Sequence, residues 1–310
     1  MSPALITGAS GFVGRALLMS LGLRGFALRP VYRSATQAAG VAGAVVVLSL
    51  DDDTDWSAAL QGVEVVIHTA ARAHLTQDAA LNPMAEYRRV NVEGTLNLAR
   101  QAAVAGVQRL VFISSIGVNG LATHGTPFTA DDVPAPVEPY AVSKWEAEQG
   151  LYAIAAETGM EVVVIRSPLV YGQHAPGNFG RLISSVRRGA WLPLGAVHNR
   201  RTLVALENLI DLLVVCVHHP AAANQTFLVG DAEDVSTTVL LQRIGRAIGR
   251  PARLLPIPVP LIRAGARLFG KAQLVDRVCG DLQVDIRKTE SLLGWRPIVD
   301  MQTAMRSWKN

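Results

Sequence analysis

The chain has 310 residues, half of them apolar and 17% charged. At about 150 residues per domain this length makes roughly two domains with a full hydrophobic core, which excludes a peptide-sized or disulfide-dependent scaffold. No apolar run approaches the ~20 residues of a membrane span, so no membrane partner is expected. The net charge of +4 comes from scattered arginines, only four of the 29 basic residues being lysine, and nucleic acid is not expected either.

The opening Met1 to Thr7 shows no basic segment leading into a long apolar one, and the expectation is a cytoplasmic protein. Strand patterns follow at Ala4–Thr7, Ala27–Tyr32, Ala44–Leu48, Val65–His68, Leu110–Ser114 and Val162–Arg166. Between them, amphipathic patterns predict helices at Val13–Leu21, Trp56–Leu60, Pro83–Ala105 and Tyr140–Thr158, with Gly25, Gly62, Gly106 and Gly159 near their stops. Alternation of this kind predicts an α/β fold, a Rossmann-type doubly wound parallel sheet with helices on both faces. Past Arg166 the chain becomes Pro- and Gly-rich, as expected for a smaller C-terminal substrate domain. The expected division is 1–166 for dinucleotide binding with a return at 202–238, and 167–201 with 239–310 for the substrate. A helix at Leu206–His218 and a strand at Thr226–Val229 would make that return. Cys216 and Cys279 have no metal-type spacing, and no metal is expected.

The first strand runs into Gly8-Ala9-Ser10-Gly11-Phe12-Val13-Gly14 and then a helix. Glycines there let backbone amides at the helix N-terminus approach a pyrophosphate, so Gly8, Ser10, Gly11, Phe12, Val13 and Gly14 are the expected dinucleotide cradle. A carboxylate at the end of the second strand would select NAD through the ribose 2′-hydroxyl. Val31-Tyr32-Arg33-Ser34 stands there instead, and the guanidinium of Arg33 suits a 2′-phosphate. NADP is therefore the expected cofactor, with NAD as the alternative. Tyr140 and Lys144 lie four residues apart on one predicted helix face, where an ammonium can bring a phenol with an ordinary pKa of about 10 into acid/base range. Ser115, or its neighbour Ser114, falls at the carboxyl edge of the fifth strand and can donate to a substrate oxygen. His68 and His74 have no accompanying ligand pattern and are expected to be structural.

Together with Ile67-His68-Thr69-Ala70-Ala71, Asn91-Val92-Glu93-Gly94-Thr95, Tyr140-Ala141-Val142-Ser143-Lys144, Val170-Tyr171-Gly172, Arg201 and Leu293-Gly294-Trp295, these motifs resemble the extended short-chain dehydrogenases/reductases, the NAD(P)-dependent epimerase/dehydratase family. The resemblance covers almost the whole chain. It implies Ser115, Tyr140, Lys144 and Asn91 as the catalytic set, with Ala70, Ala71, Tyr140 and Lys144 also at the cofactor. It further implies Asn178 and Arg201, with Arg200 as an alternative, on the diphosphate of a UDP-sugar. An adenine-contacting carboxylate is usual in the family after the third strand. Ser49 stands at that position here, ahead of the acidic run Asp51 to Asp53. Asn119 and Leu282 replace bulkier tyrosines of galactose epimerases, Leu282 leaving room for an acetamido group. Within the family the closest likeness is to bacterial UDP-glucose 4-epimerase-like proteins, which include C4 reductases of UDP-4-keto-6-deoxy-N-acetylhexosamines in surface-polysaccharide synthesis. The expectation is such a reductase, with a UDP-hexose or UDP-N-acetylhexosamine 4-epimerase as the alternative and a non-enzymatic nucleotide sensor as a remote third. A homodimer through the helices Pro83–Ala105 and Tyr140–Thr158 is implied by the same resemblance.

Overall fold

The computed structural model describes residues 3–73, 82–270 and 272–309. Six strands, β1 (Ala4–Thr7), β2 (Leu28–Tyr32), β3 (Val45–Val46), β4 (Val65–His68), β5 (Arg109–Ser115) and β6 (Glu161–Ser167), join a later strand, Gln225–Leu228, in one sheet. Its order is Gln225–Leu228, β6, β5, β4, β1, β2, β3, and every pairing is parallel. The order reverses between β1 and β4, where open sheets of this type bind their ligands.

Successive strand residues point to opposite faces, and both sets here are apolar, which requires cover on both sides. Leu5, Val66, Leu110 and Val162 pack on one face beneath Leu98 and Ala102 of the helix Gly94–Val104 and Leu151 and Ile154 of the helix Pro139–Thr158. Their neighbours Ile6, Ile67, Val111 and Val163 pack on the other beneath Leu17 and Leu21 of the helix Phe12–Leu23 and Leu209 and Leu213 of the helix Leu206–His218. Trp295 joins that second core after the left-handed Gly294 and donates its indole N–H to Asp211 at 3.0 Å.

Two predicted elements differ. The strand expected over Ala44–Leu48 contracts to Val45–Val46, because at the sheet edge Val46 and Leu48 face solvent with no strand beyond them. The single helix expected over Pro83–Ala105 is three pieces: Pro83–Arg88, a π turn at Arg89–Glu93, and Gly94–Val104. A π turn accommodates one extra residue per turn and often marks a functional position; here it carries Asn91, which is 1% exposed. His74 lies outside the described residues.

Beyond β6, the helices Gly177–Arg187 and Thr237–Ala247 and the C-terminal Met301–Ala304 turn enclose a third core of Tyr171, Phe179, Ile183, Leu240, Ile244, Met301 and Trp308. Tyr171 donates to Asp231 at 2.6 Å. Asp231 also accepts from the Ala205 amide and from Asn208, so buried hydrogen bonds fasten the Val170-Tyr171-Gly172 segment to the sheet edge.

Candidate active site

At the end of β1 the backbone of Gly8 takes φ = +72°, and a Cβ there would stand 2.6 Å from Thr69 Oγ1 and 2.8 Å from the Ala70 amide. A Cβ on Gly14 would overlap the Gly8 carbonyl. The first glycine thus makes the turn and the third lets the helix sit on the strand. No side chain caps the Phe12–Leu23 helix at Gly11, which leaves its first-turn amides to an anion. These amides open on a cavity of about 700 Å³ bounded by Gly8, Ser10–Gly14, Arg33, Ser49, Ala70 and Ala71, among other residues. Among the described residues, Arg33, Arg72 and Arg89 line it and no carboxylate does. Size, glycine turn and charge together fit a dinucleotide.

Asp51 is engaged by Ser49, by Thr54 at 2.7 Å and by Arg89 at 3.6 Å, while Asn97 donates to the Asp51 and Thr54 carbonyls. The acidic side chain therefore holds its own loop, and Ser49 and Leu50 form the cavity wall.

Tyr140 opens the helix Pro139–Thr158, with Pro139 at its first position, where a missing N–H costs nothing. One turn on, the Lys144 Nζ lies 6.0 Å from the Tyr140 ring centre and 4.2 Å from that of Phe112, and it donates to the Ile113 carbonyl at 2.8 Å. Burial disfavours both charged forms. It pushes the Tyr140 phenol up to about 12, with Tyr87 adding to the shift, and draws the Lys144 ammonium down to about 7 against the opposing pull of Glu148. Asn91 donates to Ser143 at 3.0 Å and to the Arg72 carbonyl at 3.1 Å, and accepts from the Arg72 amide at 2.8 Å. It therefore bridges the loop after β4, which walls the cavity, to the helix bearing Tyr140 and Lys144.

The two serines at the end of β5 differ in their partners. Ser114 is buried and donates to Glu148, whereas Ser115 is part-exposed and accepts from the Gly117 amide at 3.1 Å, with its hydroxyl proton free for a substrate oxygen. Glu148 is the residue the sequence reading did not single out. It is fully buried, grips Arg166 through both carboxylate oxygens, and Arg166 donates onward to Asn119 at 3.0 Å. Asn119 in turn donates to the Thr129 carbonyl at 2.8 Å. The network joins the Tyr140 helix, the ends of β5 and β6 and the following loop. Its sequence signal was a glutamate one turn past Lys144 and an arginine inside an apolar strand, each costly to bury unless paired.

His68 is buried, bonded to Thr7 at 2.6 Å and Thr95 at 3.0 Å, and stacked on Phe112. Burial and the neighbouring Lys144 charge pull its pKa down to about 3, so the imidazole stays neutral in the fold. In the unfolded chain it takes a proton below about 6.5. The stability this site contributes is therefore present above that pH and lost as pH falls. In an NMR titration of the folded protein, the His68 ring signals should not move between about pH 5 and 8.

On the substrate side, Asn178 is exposed in the first turn of the helix Gly177–Arg187. Arg201 is half-buried, its Nη1 donating to the carbonyls of Arg277 at 2.7 Å and Gly280 at 3.0 Å, and burial lowers its pKa. Leu282 packs with Ile116, Ala130 and Leu228. Among the described residues no group of His, Cys, Asp and Glu could hold a metal ion.

The description "NAD dependent epimerase/dehydratase family" matches residues 4–230. The chain is 43% identical over 307 residues to a UDP-glucose 4-epimerase of Vibrio cholerae, covering 97% of this chain and 93% of that one. Among solved structures, the UDP-glucose 4-epimerase of Thermotoga maritima, determined with UDP-glucose, matches with a TM-score of 0.76 at 20% identity, over 98% of this chain and 96% of that one. The UDP-glucuronic acid 4-epimerase of Bacillus cereus, in complex with NAD, matches with a TM-score of 0.78 at 20% identity, over 99% and 95%. At such identities the structural likeness speaks to the fold alone.

Proposed function

Because the chain belongs to the NAD-dependent epimerase/dehydratase family, we propose that it interconverts the C4 epimers of a UDP-hexose or UDP-N-acetylhexosamine, holding its nicotinamide cofactor through each turnover. The observation that carries this reading is 43% identity across 97% of the chain to a UDP-glucose 4-epimerase. It moves the reading from the C4 reductase that the sequence placed first to the epimerase that it placed second. The nicotinamide, when bound, takes and returns hydride at the sugar carbon. Tyr140 would exchange the proton of the C4 oxygen, Ser115 would donate to that oxygen as charge develops, and Lys144 would supply the positive charge that favours the phenolate. Asn178 and Arg201 are proposed to hold the diphosphate, and the two long helices Gly94–Val104 and Pro139–Thr158 a dimer partner.

The test is incubation of the purified protein with UDP-glucose, UDP-galactose and their N-acetylated forms, without added reductant, followed by NMR of the anomeric protons. Appearance of the C4 epimer is expected. Stoichiometric oxidation of NADPH by a UDP-4-keto-6-deoxy-hexosamine, with no epimer formed, would instead establish the reductase.

One feature supports the phosphorylated cofactor: Arg33 at the end of β2 is exposed and lines the cavity, and among the described residues no carboxylate stands beside it in the wall. If Arg33 grips a 2′-phosphate, Arg33→Ala should weaken NADP binding by about 1.5–3 kcal/mol, the scale of a hydrogen bond to a charged group, and leave NAD nearly unchanged. Equal titration curves for both cofactors by calorimetry would return the assignment to NAD.

A further inference from the structure

The helix Val259–Leu268 has no buried residue. Its outward positions Leu261, Ala264, Gly265 and Leu268 follow the i, i+3, i+4, i+7 spacing of one helix face, and all four are exposed. Leu261 is 63% exposed, Leu268 85%, the following Phe269 77%, and Leu274 of the next helix, Ala272–Cys279, 54%. The helix is thus apolar on its outward side as well as at the half-buried Val259, Ile262 and Ala266, and an exposed ion pair, Arg263 donating to Asp276 at 2.8 Å, ties it to the next helix. A short ladder, Trp191–Leu192 with Arg253–Leu254, leads into it, and Trp191 is 63% exposed beneath the Arg253 guanidinium.

Charge says what covers this face. Residues 235–275 contain seven Arg and Lys and no Asp or Glu, and although two of the seven, Arg243 and Arg263, pair with the flanking Glu233 and Asp276, the segment stays basic in a chain that nets only +4. A second copy docked here through a two-fold axis would set this basic segment against itself. An anionic bilayer neutralises it, and a Leu/Phe face flanked by arginines with a nearby tryptophan has the composition of interfacial helices.

We propose that the hairpin face of Leu261, Leu268, Phe269 and Leu274 seats the protein on an anionic phospholipid bilayer. No helix among the described residues is long and apolar enough to cross one, so the attachment is peripheral. The same hairpin reaches the candidate site. Carbonyls of Arg277 and Gly280 hold Arg201, and Arg277 pairs with Glu138 directly before the Tyr140 helix.

The test is flotation of the full chain with vesicles of phosphatidylcholine alone or mixed equally with phosphatidylglycerol, at low and high salt. The protein should float with the anionic vesicles at low salt and about ten-fold or more less with neutral ones or at high salt. The double variant Leu268→Glu/Phe269→Glu should lose flotation while its thermal midpoint stays that of the wild type, and Leu23→Glu, an equally exposed leucine on the first helix, should float normally. Wild-type protein that stays unbound with anionic vesicles, or a double variant that floats as well as wild type, would overturn the proposal. So would a vesicle-free oligomer, seen by sedimentation, that the double variant dissociates, because the face would then be a contact between copies.

Discussion

Tyr140→Phe is expected to lower turnover by about 10²–10⁴-fold with cofactor affinity little changed, the cost of removing a general acid/base whose ring still fills its place. The phenylalanine ring retains the edge contact with Tyr87, whose centroid lies 6.1 Å from that of Tyr140, so the helix N-terminus should keep its packing. The electrostatics make a second, spectroscopic expectation. Without a bound cation, burial holds the Tyr140 phenol up at about 12, and a Lys144 drawn down to about 7 is only partly charged at neutral pH. The oxidised nicotinamide carries a positive charge, which favours the phenolate and shifts Tyr140 downward. An ultraviolet titration of the cofactor-free protein should therefore show no phenolate attributable to Tyr140 near pH 7, judged against the Phe variant. Saturation with oxidised cofactor should move its onset to lower pH. Near-normal turnover in the Phe variant would remove Tyr140 from the acid/base role.

Glu148→Ala should destabilise the fold by about 3–5 kcal/mol, because it strands the buried Arg166 guanidinium without its carboxylate. Arg166 is 3% exposed and Glu148 fully buried. The Arg166 bond to Asn119 and the Trp145 ring 5.7 Å from its guanidinium carbon do not neutralise it. Replacing both partners, as in Glu148→Met/Arg166→Met, removes the orphaned charge and should recover much of the loss in denaturant unfolding. It should not recover turnover, since the Ser114 hydroxyl then loses the acceptor that anchors it beside Ser115, and the loop held through Asn119 loses its tie. A Glu148→Ala variant within about 1 kcal/mol of wild type would show that the pair contributes no more than a surface bridge.

Much of this protein was legible in the linear chain. The strand and helix periods, the Gly8-to-Gly14 turn and the Tyr140/Lys144 spacing are local features, each set by neighbours within a few residues, and apart from the shortened β3 and the interrupted Pro83–Ala105 helix the elements appear where their patterns predict. The parallel sheet follows from the same locality, since a doubly apolar strand can be stable only with helices on both sides. Arg33 directly follows β2 and Ser115 ends β5, at the carboxyl edge where such a sheet has its ligand crevice.

Local sequence therefore carried most of the elements, the glycine turn after β1 and the placing of Tyr140 and Lys144 on one helix. Which polar groups are spent on one another emerges only from the packed fold. Ser114 is consumed by Glu148, Asp51 by its own loop and Arg201 in part by the carbonyls of a distant hairpin. The packed fold also sets Asn91 in a π turn facing Ser143, and points Leu261, Leu268 and Phe269 outward. The physical reason is common to all of these. A hydrogen bond or an apolar contact depends on where the chain returns after tens of residues, and neither residue type nor spacing encodes that return.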